Sequence, residues 1–229
     1  MEHVIVLEKD PRETVRSYAY RVLYENIMTM QLIPGTAMSE QDMASLLAIS
    51  RTPVREAFIH LAQQDLLEIL PQRGTFVSKI NTEQISEFRF LRVTIEKAIV
   101  ELACQGLPED AQSRLQQCLA EQEQYVQHKN TAKFFTSDNH LHRTLYEGCG
   151  KSHIWQIIQD ANLDYLRARA LNVTAEAEQI QLLYTQHQAI VNAILAHDTA
   201  TAIAVMEEHI NKVVGDVALL KKEYPEYFK

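Results

Sequence analysis

Four polar residues in the second half of the chain have the types and spacing of metal ligands. Asp138 and His142 are four residues apart, so on a helix their side chains share one face. His187 and His209 each stand beside apolar residues at helical spacing, which places them at or near the interior of a helical bundle. Three neutral imidazoles and one carboxylate suit Zn, Ni, Fe, Co or Mn. Ligands so dispersed make a weak motif, and the alternative is that each is a hydrogen-bonded core or surface residue.

A second group of side chains has the types that read DNA. Ser50 and Thr52 carry short hydroxyls that can bond phosphate oxygens, as can the N–H groups at the start of a helix. Arg51 and Arg55 share one helix face if Arg51 lies near the helix start, and arginine can contact guanine through two hydrogen bonds. The alternative is that two exposed arginines simply decorate a helix, so the assignment depends on the surrounding elements.

Those surrounding elements form a winged helix-turn-helix pattern. Apolar residues recur at helical spacing, and Ser39 and Thr52 are predicted to be the N-caps of two of the helices, with Pro53 at the first helical position after Thr52. Two apolar runs joined by a Pro-Gln-Arg-Gly turn then predict a β-hairpin, the wing. The predicted elements are helices over 15–30, from Ser39, and from Thr52 to about Asp65, and strands over 66–70 and 75–80.

From Asn81 onward the sequence contains only helical patterns. The predicted fold is therefore mainly α, with a winged helix-turn-helix DNA-binding domain over residues 1–80. An all-α domain over residues 81–229 follows, and its helices are expected to form an antiparallel bundle. The predicted helices cover 82–104, 108–128, 130–147, 151–171, 175–196 and 198–222.

Charge and composition limit the class of protein. The 229 residues carry a net charge of −8, and residues 1–80 hold 8 Lys/Arg against 10 Asp/Glu. DNA binding must therefore come from a local site, with modest non-specific affinity. Three scattered cysteines suit a reducing cytoplasm. No signal-peptide pattern is present, and no stretch approaches the roughly 20 apolar residues of a membrane helix, so we expect a cytoplasmic protein.

Residues 20–80 resemble the winged helix-turn-helix of the GntR family of bacterial regulators. The matching residues, in order, are Leu32-Ile33-Pro34-Gly35, Ser39-Glu40, Ala44, Ser50 through Ala57, Leu61, Leu66, Pro71, Arg73-Gly74 and Val77. The family usually has glycine where Ala48 and Asp65 stand, and neither position is expected to contact DNA. The wing tip is expected to reach the minor groove. The resemblance implies DNA contacts from Ser50, Arg51, Thr52, Arg55, Arg73 and Gly74.

Residues 82–222 resemble the FCD ligand-binding domain of the FadR subfamily of GntR regulators. The matching pieces are Arg92-x-x-x-Glu96 with Leu102-Ala103, Asp138-x-x-x-His142, His187-x-x-Ile190-x-x-Ala193-Ile194, and Ala202-x-x-x-Met206-x-x-His209-Ile210. Metal-binding members hold one cation with an Asp and three His. The resemblance therefore implies one divalent transition metal, bound by Asp138, His142, His187 and His209.

The resemblance also implies a function. It predicts a sequence-specific transcriptional regulator, acting as a repressor, whose affinity for its double-stranded operator is controlled by a small organic or sugar acid. That effector would fill an open coordination site on the metal, and Arg92 would pair with its carboxylate. The other role for Arg92 is an ion pair with Glu96 four residues on. A homodimer is expected because two DNA half-sites require a two-fold protein.

Two other classes of function were compared with this one. A metal-dependent hydrolase or oxygenase could use an Asp/His₃ site. No HExxH or similar motif places a general base beside the ligands, although Glu147 is one possible carboxylate nearby. An interaction protein with a vestigial DNA domain would not need its two arginines. The sequence therefore predicts a regulator and not an enzyme.

Overall fold

A computed structural model describes residues 4–161, 163–171 and 177–229. Their contacts divide the chain into two compact units. The first unit contains Met1–Thr82, Leu163–Leu171 and Leu220–Lys229, and the second contains Glu83–Asn162 and Asn172–Leu219. The first unit is therefore not continuous in sequence: two of its segments come from later in the chain, after parts of the second unit.

Three helices of the first unit form the predicted helix-turn-helix core: α1 (Val15–Met28), α2 (Glu40–Leu46) and α3 (Arg51–Gln63). The Ser39 hydroxyl caps α2 by accepting a bond from the Asp42 N–H, as predicted. Helix α3 starts two residues earlier than a cap at Thr52 implies, because extended Ser50 and not Thr52 is its N-cap. Arg51 is therefore the first helical residue.

The apolar faces of these helices pack against one another as their spacing predicts. Val22, Leu23 and Ile27 of α1 are fully buried, and Val54 and Leu61 of α3 are buried with them in one cluster. This core holds α3 in place from one side and leaves its other face to solvent.

The wing is a hairpin of β2 (Leu67–Leu70) and β3 (Gly74–Val77), paired antiparallel with Leu70 opposite Gly74. A two-residue strand that was not predicted, β1 (Ala37–Met38), pairs with the other edge of β3. Two residues are too few to show the alternation that reveals a strand in sequence. Strand β3 ends at Val77, three residues earlier than predicted.

The backbone after the wing is held by later parts of the chain. Helix α8 (Leu163–Leu171) provides Arg167, which is fully buried and donates hydrogen bonds to the Ser78 carbonyl and the Asp164 carboxylate. Asp164 in turn accepts a bond from the Asn81 N–H. Ile80 forms a parallel bridge with Phe228 near the C-terminus. These contacts make α8 and the last residues part of the first unit.

The turn of the helix-turn-helix contains Ala48 in the left-handed region, at φ 53°. An L-residue other than glycine pays roughly 1–2 kcal/mol there. Glycine would add roughly 0.5–1 kcal/mol of unfolded-state entropy. We expect Ala48→Gly to raise the free energy of unfolding by about 0.5–1 kcal/mol, measured by chemical denaturation.

The control for this change is Ala120→Gly, the same substitution at an exposed position inside an ordinary helix. It should lower the free energy of unfolding by about 1 kcal/mol. Loss of stability in both variants would show that the Ala48 backbone is not strained.

The second unit is all-helical, as predicted. Its helices are α4 (Thr82–Gln105), α5 (Glu109–Gln127), α6 (Thr131–Gly148), α7 (Ser152–Asp160), α9 (Ala177–Leu195) and most of α10 (Thr199–Glu223). The helix predicted over 151–171 is wrong, because α7 ends at Asp160 and α8 begins at Leu163. The predicted start at 175 lies outside the described residues. No helix in the described part of the chain is both long and apolar enough to cross a membrane.

Candidate metal centre and nucleic-acid interface

Three helices of the second unit bring the four predicted metal ligands together. Asp138 and His142 lie one turn apart on α6, His187 lies on α9, and His209 lies on α10. All four side chains are buried. One ligand atom from each lies within 4.8 Å of the other three. The two residues spaced four apart on α6 and the two histidines beside apolar residues on α9 and α10 therefore lie in one cluster.

The distances within this cluster suit a single cation. Asp138 Oδ1 lies 3.1 Å from His187 Nε2 and 3.9 Å from the Nε2 atoms of His142 and His209. His209 Nε2 lies 3.3 Å from His142 Nε2 and 3.4 Å from His187 Nε2. Tetrahedral bonds of about 2.0–2.1 Å separate neighbouring ligand atoms by about 3.3–3.4 Å. The donor set therefore fits a divalent transition metal in both chemistry and spacing.

The far side of each imidazole is held by an oxygen acceptor. Each Nδ1 lies next to a side-chain oxygen, so Nδ1–H donates and the lone pair is left on Nε2, toward the cluster. The three pairs are His142 with Glu96 Oε2 at 3.0 Å, His187 with Gln122 Oε1 at 2.8 Å, and His209 with Gln186 Oε1 at 3.2 Å. These acceptors orient the rings as metal ligands require.

Sequence reasoning missed two of these acceptors and understood the third only in part. Gln122 and Gln186 are polar residues on helices, and nothing in their local pattern marks them. Glu96 was expected only as a partner of Arg92. Its position four residues after a candidate pocket arginine was the one available signal.

Two buried titratable groups, His209 in the cluster and Glu96 beside it, have well-defined protonation states. Burial, with His187 and His142 close by, lowers the pKa of His209 well below its ordinary value, so its ring is neutral. Burial opposes ionisation of Glu96, but His142 and Arg92 outweigh it and lower the pKa of the carboxyl to about 2. Glu96 is therefore a buried carboxylate.

Arg92 forms the ion pair that its spacing from Glu96 predicts. Its Nε and Nη2 donate to Glu96 Oε1 at 3.2 and 2.8 Å, and the residue is 7% exposed. The guanidinium is thus connected to the ligand cluster through Glu96 and His142. An effector carboxylate that bound Arg92 would share it with Glu96.

In the first unit, the predicted DNA-reading residues lie together at the exposed start of α3. Ser50, Arg51, Thr52 and Arg55 are all exposed. Because α3 begins at Arg51, Arg55 follows one turn later on the same face. Arg51 Nη2 lies 3.1 Å from Glu40 Oε2 in an exposed pair, which costs little to break.

The wing tip presents the remaining predicted contact residues to solvent. Arg73 and Gly74 are exposed, and the Arg73 N–H bonds the Leu70 carbonyl across the turn at 3.1 Å. Gly74 has φ 110°, a conformation that other residues rarely adopt. The tip is therefore a fixed turn that projects one arginine.

The carboxylate considered for an enzyme is not available as a general base. Glu147 accepts bonds at 2.7 Å from both Arg114 and Arg143, and these bonds lower its pKa. Glu96 is occupied by Arg92 and His142. Neither carboxylate has the raised pKa and free oxygen that a general base needs at neutral pH.

Comparison with known proteins finds a family match for each of the two parts of the chain. Residues 16–77 match the family described as bacterial regulatory proteins, gntR family, and residues 87–212 match the FCD domain. The HTH-type transcriptional repressor RspR of Escherichia coli K12 is 30% identical over 221 residues, 96% of each chain. The HTH-type transcriptional repressor NanR of Escherichia coli K12 / DH10B is 29% identical over 195 residues, covering 76% of this chain and 73% of NanR.

Solved structures share the fold. Escherichia coli McbR/YncC superposes with a TM-score of 0.71 at 18% identity, covering 93% of this chain and 99% of that one. A putative GntR transcriptional regulator from Rhodococcus sp. RHA1 gives 0.69 at 22% identity, with 89% and 97% covered. The family matches over residues 16–77 and 87–212 and the 30% identity to RspR show that the chain belongs to the GntR family: it is a DNA-binding transcriptional regulator with an FCD domain, and not an enzyme.

Proposed function

We propose that this regulator is a metal-containing repressor that releases its operator when a small organic acid binds. The observation that carries the proposal is the buried convergence of Asp138, His142, His187 and His209, with their ligand atoms within 4.8 Å of one another. Evolutionary relatives named as repressors, RspR and NanR, support the direction of regulation. We assign DNA binding to residues 1–80 and metal and effector binding to residues 81–229.

The four clustered side chains would hold one divalent transition metal: Zn, Ni, Fe, Co or Mn. When bound, the cation would supply coordination positions for the oxygens of an acid. The chain's own contribution is to bury these ligands, keep His209 neutral and turn every Nε2 inward. Arg92, a buried cation that bonds Glu96, would pair with the carboxylate of the acid.

On the DNA side, Arg51 and Arg55 would read bases, and Ser50 and Thr52 would bond phosphates in the major groove. Arg73 and Gly74 at the wing tip would enter the minor groove. A homodimer would place two such units on paired half-sites. The described cysteines are free thiols, as expected for a protein that binds its operator in the reducing cytoplasm.

Effector control requires different affinities in two states. An acid that binds one arrangement of the dimer more tightly shifts the population toward it, and the DNA affinity changes by the same coupling. Release of the operator follows if the acid favours the arrangement that fits DNA less well.

The test is selection of genomic DNA fragments on the purified full-length protein, with metal supplied and with metal chelated. We expect enrichment of a short pseudo-palindrome whose half-sites lie about one helical turn apart, roughly 10 base pairs. Random DNA should bind weakly, because residues 1–80 carry a net charge of −2. Equal affinity for random and selected DNA, or no enrichment in either condition, would contradict the proposal.

A further inference from the structure

The acceptors behind the three histidines differ in charge. Gln122 and Gln186 present neutral carboxamide oxygens to His187 and His209. Glu96 presents a carboxylate to His142, and its side chain is completely buried. One ligand histidine is therefore supported by a full negative charge, and two are not.

We propose that Glu96 is a positioning residue of this centre: it fixes His142 as an Nε2 ligand and supplies negative charge that favours the cation. The inference rests on the proposed metal site. Both oxygens of Glu96 accept hydrogen bonds: Oε2 accepts from His142, and Oε1 accepts twice from Arg92.

The charge argument concerns the balance around the cation. Asp138 and Glu96 carry two negative charges and Arg92 carries one positive charge, so the buried group is net −1 with neutral histidines. A divalent cation brings it to +1. Without the Glu96 charge the same group would reach +2 in a buried site, where unbalanced charge is costly. Glu96 therefore lowers the cost of binding the metal.

The tautomer argument concerns Glu96→Gln. A glutamine has one acceptor oxygen, and two donors would compete for it: the Arg92 guanidinium and His142 Nδ1–H. Because arginine has no acceptor and cannot be deprotonated, the amide oxygen goes to Arg92 and the NH₂ group faces His142. Nδ1 must then lose its proton, and Nε2–H points into the metal position.

The experiment compares wild-type protein, Glu96→Gln and a matched control, Glu101→Gln. The control removes an exposed carboxylate from the same helix. Metal-free proteins are titrated with Co²⁺ and then with Zn²⁺, following the visible cobalt spectrum. We expect Glu96→Gln to bind both ions about 10- to 100-fold more weakly, and Glu101→Gln to match wild type.

A second readout reports the tautomer directly. Long-range ¹H–¹⁵N spectra of the metal-free proteins should show His142 protonated on Nδ1 in wild type and in Glu101→Gln. In Glu96→Gln they should show the proton on Nε2. A residue that only fills space would not move this signal.

A double variant, Arg92→Met with Glu96→Gln, covers the case in which the single variant leaves a buried cation unpaired and fails to fold. With the guanidinium gone, the amide oxygen can turn to His142. We expect the Nδ1–H tautomer to return and the cobalt affinity to recover toward wild type, because loss of both Arg92 and Glu96 leaves the buried group at the same net charge of −1.

The outcomes separate this inference from the proposed function. If wild type binds cobalt and both Glu96 variants bind it as tightly as wild type does, Glu96 has no positioning role and the metal site stands. If wild type binds neither Co²⁺ nor Zn²⁺, both proposals fail. A tautomer unchanged in Glu96→Gln would overturn the positioning role even if affinity fell.

Discussion

Replacing Arg51 and Arg55 together with alanine is expected to abolish specific operator binding while the protein stays folded. Each arginine that contacts guanine contributes about 1–3 kcal/mol of discrimination. The pair should therefore cost at least about 30-fold in affinity at one half-site, and more on a paired site. Fluorescence anisotropy with the selected operator, at fixed salt, measures the loss.

The fold should tolerate this change for two reasons. Both side chains are exposed, and the ion pair that Arg51 makes with Glu40 lies at the surface. A cation at a helix N-terminus is also unfavourable toward the helix dipole, so alanine at Arg51 loses little. Thermal unfolding should therefore be close to that of the wild type.

The control is Arg114→Ala with Arg143→Ala, which removes the same charge from the second unit. Both arginines are partly exposed and pair with Glu147, which also belongs to the second unit. This variant should keep full operator affinity. If the variant lacking Arg51 and Arg55 still binds the operator as wild type does, α3 is not the recognition helix.

Replacing His187 or His209 with alanine is expected to leave the purified protein without bound metal. Each change removes one of four buried donors, and this should weaken binding by more than about 100-fold, beyond the effect typical of an outer hydrogen-bond partner. Metal content after gel filtration, measured by plasma emission spectrometry, gives the result. Operator binding should remain, because neither residue lies in the first unit.

His153→Ala is the matched control for these variants. His153 is exposed on α7, and its ring contacts Gln156 at 3.4 Å. This variant should carry as much metal as wild type. Unchanged metal content in both the His187 and the His209 variants would show that the cluster is a hydrogen-bonded core and holds no cation.

Much of the first unit could be predicted because its signals are local. The Ser39 cap acts within one helical turn, and the wing turn joins adjacent strands. The apolar faces of α1 and α3 follow from residues three and four apart. The errors were also local: the N-cap position of α3 is Ser50 and not Thr52, and β1 is too short to show a pattern.

The break between α7 and α8 shows where periodicity is insufficient. The apolar spacing over 151–171 suits one helix as well as two. Arg167 and Asp164 of α8 instead bond the backbone near Ser78, more than eighty residues earlier in the chain. Such a contact is decided by packing and leaves no trace in the local pattern.

The metal centre also has features that the local sequence predicts and features that only helix packing decides. Residue types and the four-residue spacing of Asp138 and His142 were enough to single out four candidate residues, since a helix alone places those two on one face. That the four form one ligand set was implied only by the resemblance to the FCD domain. The convergence of His187 and His209 depends on how α6, α9 and α10 pack. The acceptors behind the rings lie even further out of local reach, because Glu96 is 46 residues from His142 and Gln122 is 65 residues from His187. Caps and periodicity arise from forces that act within a turn or two of chain, whereas the direction of an Nε2 lone pair is settled only when distant helices bring an oxygen to Nδ1.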